Sequence, residues 1–302
     1  MSLFLKIIHL FMMYVAIFTV LALIILIPRQ ISVVYEKGEE VHYEFTMQHY
    51  ANNISEFITS IWQEHSLGKT RYENSVESEL LIYFPRSLLI IIPSFILSII
   101  LGIAIGLRQF QTKHRRSYPV RKGVFWLLSS VPDFFLIICL IWIVILFVPN
   151  FDIFGHEHSY AFVVPIILVT LYPMLYVAKI TEVALEDEGE QLYVRFARAM
   201  GFTEAYVLIR HVLRNVYPSI LNHFPTIMMY VLSNLLVVEW LLDYRGLTYR
   251  LFRAVDYTDK ISGMTSPNYE GALIIGISIC FLSVVLVSQV LSQLGKRLLD
   301  PR

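Results

Sequence analysis

Charge is scarce in this chain of 302 residues: Asp, Glu, Lys and Arg together make up 16% of it, against 56% hydrophobic residues. That shortage excludes an ordinary soluble domain and leaves an integral membrane protein. The formal net charge is zero, so nothing in the overall balance asks for a nucleic-acid partner, and the position of each charge carries the information instead. Cysteine is nearly absent too. Cys139 and Cys280 both lie inside apolar runs, which excludes a disulfide framework or a cysteine-based metal site and leaves two small buried hydrophobes. There is no Gly-x-x-x-x-Gly-Lys-Ser/Thr phosphate loop, so ATP is not hydrolysed here by that route, and neither a His-Glu-x-x-His motif nor a serine nucleophile elbow occurs. No cofactor of the chain's own is expected. The one metal-like cluster, Gly155-His156-Glu157-His158, has an unspecific spacing and reads first as an exposed polar turn.

What the chain does have is long apolar runs. A bilayer core about 30 Å thick takes about 20 apolar residues per helix, and six stretches have that length: 4–27, 88–107, 124–148, 160–180, 224–242 and 272–294. The expected fold class is all-α, a polytopic bundle of six transmembrane helices forming one domain over 1–302 without internal repeats. The first stretch is too long for a signal-peptide core and lacks a small-residue cleavage pattern, so it is expected to remain as an anchor. The loop after the second stretch carries Arg108, Lys113, Arg115, Arg116, Arg121 and Lys122 without an acidic residue, and Lys296, Arg297 and Arg302 follow the sixth. The excess of cations near helix ends places both regions, and both termini, in the cytoplasm. The acid-rich segment 28–87 then becomes an extracytoplasmic excursion, helical from about Met47 to Trp62, and the short loop with Asp152 and Glu157 also faces outward. Residues 181–223 become a cytoplasmic loop.

That loop holds the most regular polar pattern in the chain. Leu192, Tyr193, Phe196, Ala197 and Met200 recur at the spacing of one helical face, with Arg195 and Arg198 elsewhere on the surface. Gly201 can adopt the left-handed conformation that ends a helix, and Thr203 can cap a second one that stops before Pro218. On that second helix Tyr206, Ile209, Leu213 and Val216 form one stripe, and Arg210 and Arg214 point away. One face can pack on the bundle while the other meets a partner protein. An interfacial helix lying on lipid headgroups is the alternative, against which stand Glu182, Glu186, Asp187, Glu188 and Glu190 just ahead of the unit.

Polar residues inside the apolar stretches are the remaining candidates. Asp133, beside Pro132, falls about ten residues into the third stretch, near the midplane at about 1.5 Å per residue. A carboxylate there costs on the order of 3 kcal/mol to insert, so it lines a water-filled path or is held by a neighbour at the Pro132 kink. Asn234 in the fifth stretch fits a path or a hydrogen bond between helices. Arg86 reads as a snorkelling residue at the outer interface. His211 reads as a surface contact.

Taken with its neighbours, the loop resembles a known family. The run Tyr193-Val194-Arg195-Phe196-Ala197-Arg198-Ala199-Met200-Gly201-Phe202 and the continuation Arg210-His211-Val212-Leu213-Arg214-Asn215 are similar to the ATPase-binding loop of ABC importer permeases of the oligopeptide/dipeptide/nickel class. Further elements follow in the family's order: His65-Ser66-Leu67-Gly68-Lys69-Thr70 for "G-D-L-G-x-S", Ser130-Val131-Pro132-Asp133-Phe134 for "S-x-P-x-F", Glu239-Trp240 with Tyr244-Arg245-Gly246-Leu247 for "E-x-x-F-x-x-P-G-L-G", and Leu299-Asp300-Pro301-Arg302 for "L-D-P-R". The resemblance runs from about Met47 to the end. Ile27-Pro28-Arg29-Gln30 does not reproduce the family's "P-G-D-P", and Phe84-Pro85-Arg86-Ser87-Leu88 replaces "L-P-x-T-L".

The resemblance implies a type I importer permease of a bacterial cytoplasmic membrane, pairing with a second homologous permease to enclose a path for peptides, nickel or a metal chelate. It implies two ABC ATPase subunits, which hold the ATP, docked on the coupling-helix loop, and an extracytoplasmic solute-binding lipoprotein. It implies docking residues among Tyr193, Arg195, Ala197, Arg198, Ala199, Met200, Gly201, Phe202, Arg210, His211 and Arg214, and a path or gate including Pro132, Asp133, Asn234 and Glu239, the last at an outer gate. Two other classes remain open: a non-transporting scaffold or sensor, for which the divergent outer segment speaks, and a stand-alone ion-coupled transporter, against which the lack of an inverted repeat of broken helices speaks.

Overall fold

A computed structural model describes residues 3–28, 31–34, 40–43, 46–113, 118–147, 153–155, 157–158, 160–255 and 269–299. Asp152, His156, Arg115, Arg116 and the tail 300–302 lie outside the described residues. The chain divides into two compact units, Met1–Ser87 with Arg245–Val284, and Leu88–Tyr244 with Val285–Arg302. Regular structure among the described residues is helical throughout except for one two-stranded ribbon.

In the first unit, α1 (Leu3–Ile25) is apolar all round, as a helix solvated by lipid must be. Its exposed Phe11, Met12, Val20 and Ile24 face away from protein. The ribbon pairs β1 (Ile31–Val34) antiparallel with β2 (Glu40–Tyr43), Ile31 opposite Tyr43. The ribbon is a local addition to a fold that is otherwise helical, as the sequence predicts. α2 (Met47–Gln63) sits where the periodicity predicts it. The Tyr50 hydroxyl donates to the Leu23 carbonyl at 2.8 Å and the Asn53 amide to the Leu26 carbonyl at 3.2 Å, so α2 satisfies carbonyls that the end of α1 leaves open.

α3 (Val76–Gln111) is 36 residues long and begins well before the expected Leu88. Only its first turn is polar, but Pro85, Arg86 and Ser87 cut the apolar Leu80, Leu81, Ile82, Tyr83 and Phe84 off from the longer run, so a count of apolar residues starts at Leu88. The start is nevertheless written in capping chemistry: the Ser75 hydroxyl accepts from the Ser78 N–H at 3.3 Å, and Glu77 and Glu79 occupy the positive end of the helix dipole. Arg86, expected to snorkel, donates from Nη1 to the Arg245 carbonyl at 3.2 Å and lies over the Tyr83 ring. α11 (Leu247–Val255) and the start of α12 (Gly271–Leu299) complete the unit around buried Val76, Leu247, Ala254, Leu273, Ile274 and Ile277.

The second unit is built on α6 (Val163–Gly189), which packs along α10 (Phe224–Leu241) and α9 (Leu213–Asn222). α3 approaches α6 closely through two glycines one turn apart: a Cβ on Gly102 would stand 2.5 Å from the Val177 Cβ, and one on Gly106 would stand 2.6 Å from the Ala178 carbonyl oxygen. This is the small-xxx-small device of membrane helices, where dispersion over a short separation replaces a hydrophobic drive. The expected third span is not one helix. α4 (Tyr118–Ser130) and α5 (Asp133–Phe147) are bent by 106° at their junction, so among the described residues five helices are individually long and apolar enough to cross a membrane and the bent pair makes up to a sixth. Pro132, with no N–H and a restrictive ring, stands at the break. The Ser129 and Ser130 hydroxyls donate back to the Phe125 and Trp126 carbonyls, both at 2.8 Å, and so compete with the helix ladder in the turn before the break.

Candidate functional site

The helix-glycine-helix unit is present. α7 (Leu192–Ala199) ends at Gly201, whose φ of +84° is the left-handed conformation that favours glycine. Thr203 caps α8 (Glu204–Val207), accepting the Tyr206 N–H at 3.4 Å. α8 runs through a π-helical turn, Leu208–Val212, into α9, which continues through Pro218 instead of stopping before it.

The faces differ from expectation. Val194 and Ala197 of α7 and Val207, Leu208, Val212, Leu213, Val216 and Ile220 beyond it form the buried side, closed by Leu185 of α6. Leu192, Phe196 and Met200 are 70%, 67% and 71% exposed, and Phe202, Tyr206 and Ile209 are exposed as well. The stripe read as the packing face is therefore mostly the outward one. Among the expected docking residues, Arg195, Arg198, Ala199, Met200, Gly201, Phe202, Arg210 and Arg214 are exposed and His211 is half-buried, whereas Ala197 is buried and Tyr193 half-buried against the core. The reason is the turn at Gly189–Gln191, which sets the roll of α7 and which periodicity alone does not fix. Arg198 is held by Glu204, Nε to Oε1 at 2.9 Å, across the glycine corner. Phe202 stacks on Tyr206 at 5.1 Å, and Tyr206 meets His211 edge-on at 5.8 Å.

Behind the outward stripe lies a closed polar triad. The Tyr193 hydroxyl donates to Glu188 Oε1 at 2.6 Å, and the Asn215 amide donates to the same oxygen and to the Tyr193 hydroxyl, each at 3.0 Å. Burial first, and then the adjacent carboxylate, push the Tyr193 pKa up to about 12.

Glu188 and Asn215 also line a cavity of about 600 Å³ between α6, α9 and α10. Its wall carries an aromatic ladder. Tyr172 and Tyr176 each meet Tyr230, with centroids at 5.2 and 5.0 Å, and Tyr176 reaches His223 through a 2.8 Å hydrogen bond to Nδ1. Burial pulls His223 below its ordinary pKa, favouring the neutral ring that can accept there. Lys179 and Asp187 add charge of both signs. Sequence reasoning missed these residues because Lys179 and the tyrosines fall inside or beside an apolar count, while their common direction belongs to the helix packing.

None of the four expected path residues lines this cavity. Pro132 and Asp133 stand at the α4–α5 break, where the Asp133 carboxylate accepts the Phe134 N–H at 2.9 Å. Asp133 is thus the first residue of a helix rather than the middle of one. Asn234 is 1% exposed and reaches the Val169 carbonyl of α6 at 3.5 Å, with its Oδ1 left without a hydrogen bond among the described residues. Glu239 is fully buried.

The first unit holds a charged cluster that spacing could not reveal. Arg250 of α11, 3% exposed at its side chain, donates from Nε to Glu79 Oε2 at 2.6 Å and forks onto Glu270 at 2.9 and 2.8 Å. Thr70 donates to Glu79 Oε1 at 2.7 Å, and the Arg71 N–H donates to Glu270 at 3.2 Å. The partners are up to 171 residues apart. Among the described residues no three His, Cys, Asp or Glu side chains are grouped to hold a metal ion, and both cysteines are free.

Residues 98–302 match the family described as binding-protein-dependent transport system inner membrane component. A nickel import system permease protein, NikB, of Staphylococcus aureus strain bovine RF122 / ET3-1 is 26% identical over 250 residues, covering 80% of this chain and 70% of that protein. The NikB of strain MRSA252 is 25% identical over the same lengths. In structure, the chain is similar to a subunit of the MetNI methionine ABC transporter in inward-facing form, with a TM-score of 0.58, 15% identity, and coverage of 73% of this chain and 96% of that one. A second form of the same transporter gives 0.57. At that identity the structural likeness shows the fold.

Proposed function

The chain belongs to the family of inner-membrane components of binding-protein-dependent transport systems, as an ABC importer permease subunit and not an enzyme, and on that premise we propose that it carries a small solute of the peptide or nickel class. It is a multi-pass membrane protein. In this reading it sits in a bacterial cytoplasmic membrane with both termini inside, encloses the path with a second permease, and receives solute from an extracytoplasmic binding lipoprotein. ATP stays with two ATPase subunits. The nickel-import relatives favour nickel or a nickel chelate as the cargo.

The observation that carries the reading is the outward apolar stripe of the elbow, Leu192, Phe196 and Met200, flanked by exposed Arg195 and Arg210. An aromatic and aliphatic centre with an arginine rim on a rigid helix is the composition of a protein interface. Closure of the ATPase pair on ATP would move the elbow as a rigid body and shift the balance between inward-open and outward-open states. The test is copurification of the ATPase subunits with the detergent-solubilised permease. Phe196→Ser with Met200→Ser should weaken ATPase retention at least tenfold, about 1.4 kcal/mol or more, while membrane insertion is unchanged. Undiminished retention would sink the docking role.

A further inference from the structure

We propose that Glu188, Tyr193 and Asn215 are the link through which movement of the docking elbow reaches the cavity, with Glu188 the positioning residue shared by both. The proposal rests on the docking reading of α7. Tyr193 belongs to that helix, while Glu188 on α6 and Asn215 on α9 are two walls of the cavity. Each member of the triad uses the other two: Tyr193 donates to Glu188 and accepts from Asn215, and Asn215 reaches Glu188 directly.

Without this ring, α7 would be joined to α6 by the corner at Gly189–Gln191 and by apolar packing of Val194 and Ala197. The corner fixes where α7 starts but not its angle. Apolar burial is non-directional and tolerates sliding, whereas a ring of short hydrogen bonds holds an angle. The raised Tyr193 pKa of about 12 keeps the phenol protonated through the physiological range, so its donation persists. A tilt of α7 therefore pulls on two cavity walls together.

The experiment uses the chain assembled with its partner permease and ATPase subunits in nanodiscs, with Cys139→Ser, Cys280→Ser and, on the exposed cavity wall, Ser219→Cys. The rate of maleimide labelling at position 219 is compared without nucleotide and with ATP plus vanadate. The parent assembly should change rate severalfold. Tyr193→Phe and Glu188→Leu should lose that change while retaining their ATPases, and Glu188→Gln, whose amide oxygen still accepts both bonds, should keep it. A nucleotide-dependent change that persists in Tyr193→Phe and Glu188→Leu, or that is missing from a parent with its ATPases bound, overturns the link. Loss of the ATPases from Tyr193→Phe overturns it too, since the triad would then support the docking face alone. ATPases that never join the parent refute the docking reading instead.

Discussion

Replacing Arg250 with Met should destabilise the protein more than any surface charge change. The side chain is 3% exposed and supplies three charge-assisted bonds, at 2.6 Å to Glu79 and at 2.9 and 2.8 Å to Glu270, whose own side chains are 5% and 6% exposed. Met fills a similar volume but leaves two buried carboxylates facing each other, with the 23%-exposed Arg71 as the remaining nearby cation. Removing one partner of a buried ion pair costs about 3–5 kcal/mol. At roughly 2–4 °C per kcal/mol for a unit of this size, the unfolding midpoint should fall on the order of 10 °C. The assay is a thermal ramp of detergent-solubilised protein followed by size-exclusion of the survivors. Glu79→Gln should cost less, because Arg250 keeps its fork on Glu270. Replacing Glu79, Arg250 and Glu270 together with Met should recover much of the loss, since a buried ionic cluster is often no more stable than an apolar one. A midpoint for Arg250→Met within about 1 °C of the parent, where a loss of several kcal/mol is expected, would refute the reasoning.

Gly201→Val meets no atom within 4 Å, yet it puts a β-branched residue at a φ of +84°. The strain of about 1–2 kcal/mol should reshape the elbow corner and reduce ATPase copurification, with insertion unaffected. Gly102→Leu would drive a Cβ to 2.5 Å from Val177 and 2.9 Å from the Met174 carbonyl, and loss of folded protein on size-exclusion should follow. For His223 the folded pKa lies below the ordinary 6.5, so the unfolded chain binds the proton that the folded chain refuses. Its stabilising effect is complete above about pH 6.5 and declines as pH falls from there through the lowered value. Thermal midpoints taken between about pH 7.5 and 5.5 should therefore drop more in the parent than in His223→Asn.

Hydrophobic length is enough to read most of the spans, and periodicity places α2 almost to the residue. The start of α3 is hidden from an apolar count by the Pro85, Arg86 and Ser87 interruption, although Ser75 with Glu77 and Glu79 spells a helix start in capping chemistry. The Gly102–Gly106 pair is legible in the sequence as a four-residue spacing of small residues. The roll of α7 was not readable: Phe196 and Val194 are equally apolar, and only the corner at Gly189 decides which one is buried. The Arg250 cluster and the aromatic ladder join residues far apart in sequence, so no local pattern encodes them. Asp133 failed for a different reason, since midplane depth assumed a straight helix that Pro132 interrupts.

That interruption decides how much apolar length the α4–α5 pair can present to a bilayer. Straightened, the 13 residues of α4 and 15 of α5 would extend about 42 Å, well beyond a hydrocarbon core of about 30 Å. α5 alone extends about 22 Å and falls short of it. The 106° bend therefore sets how much apolar length the bilayer has to match, and a thicker membrane would favour opening the angle while a thinner one would favour closing it, each ångström of mismatch weighing a fraction of a kcal/mol.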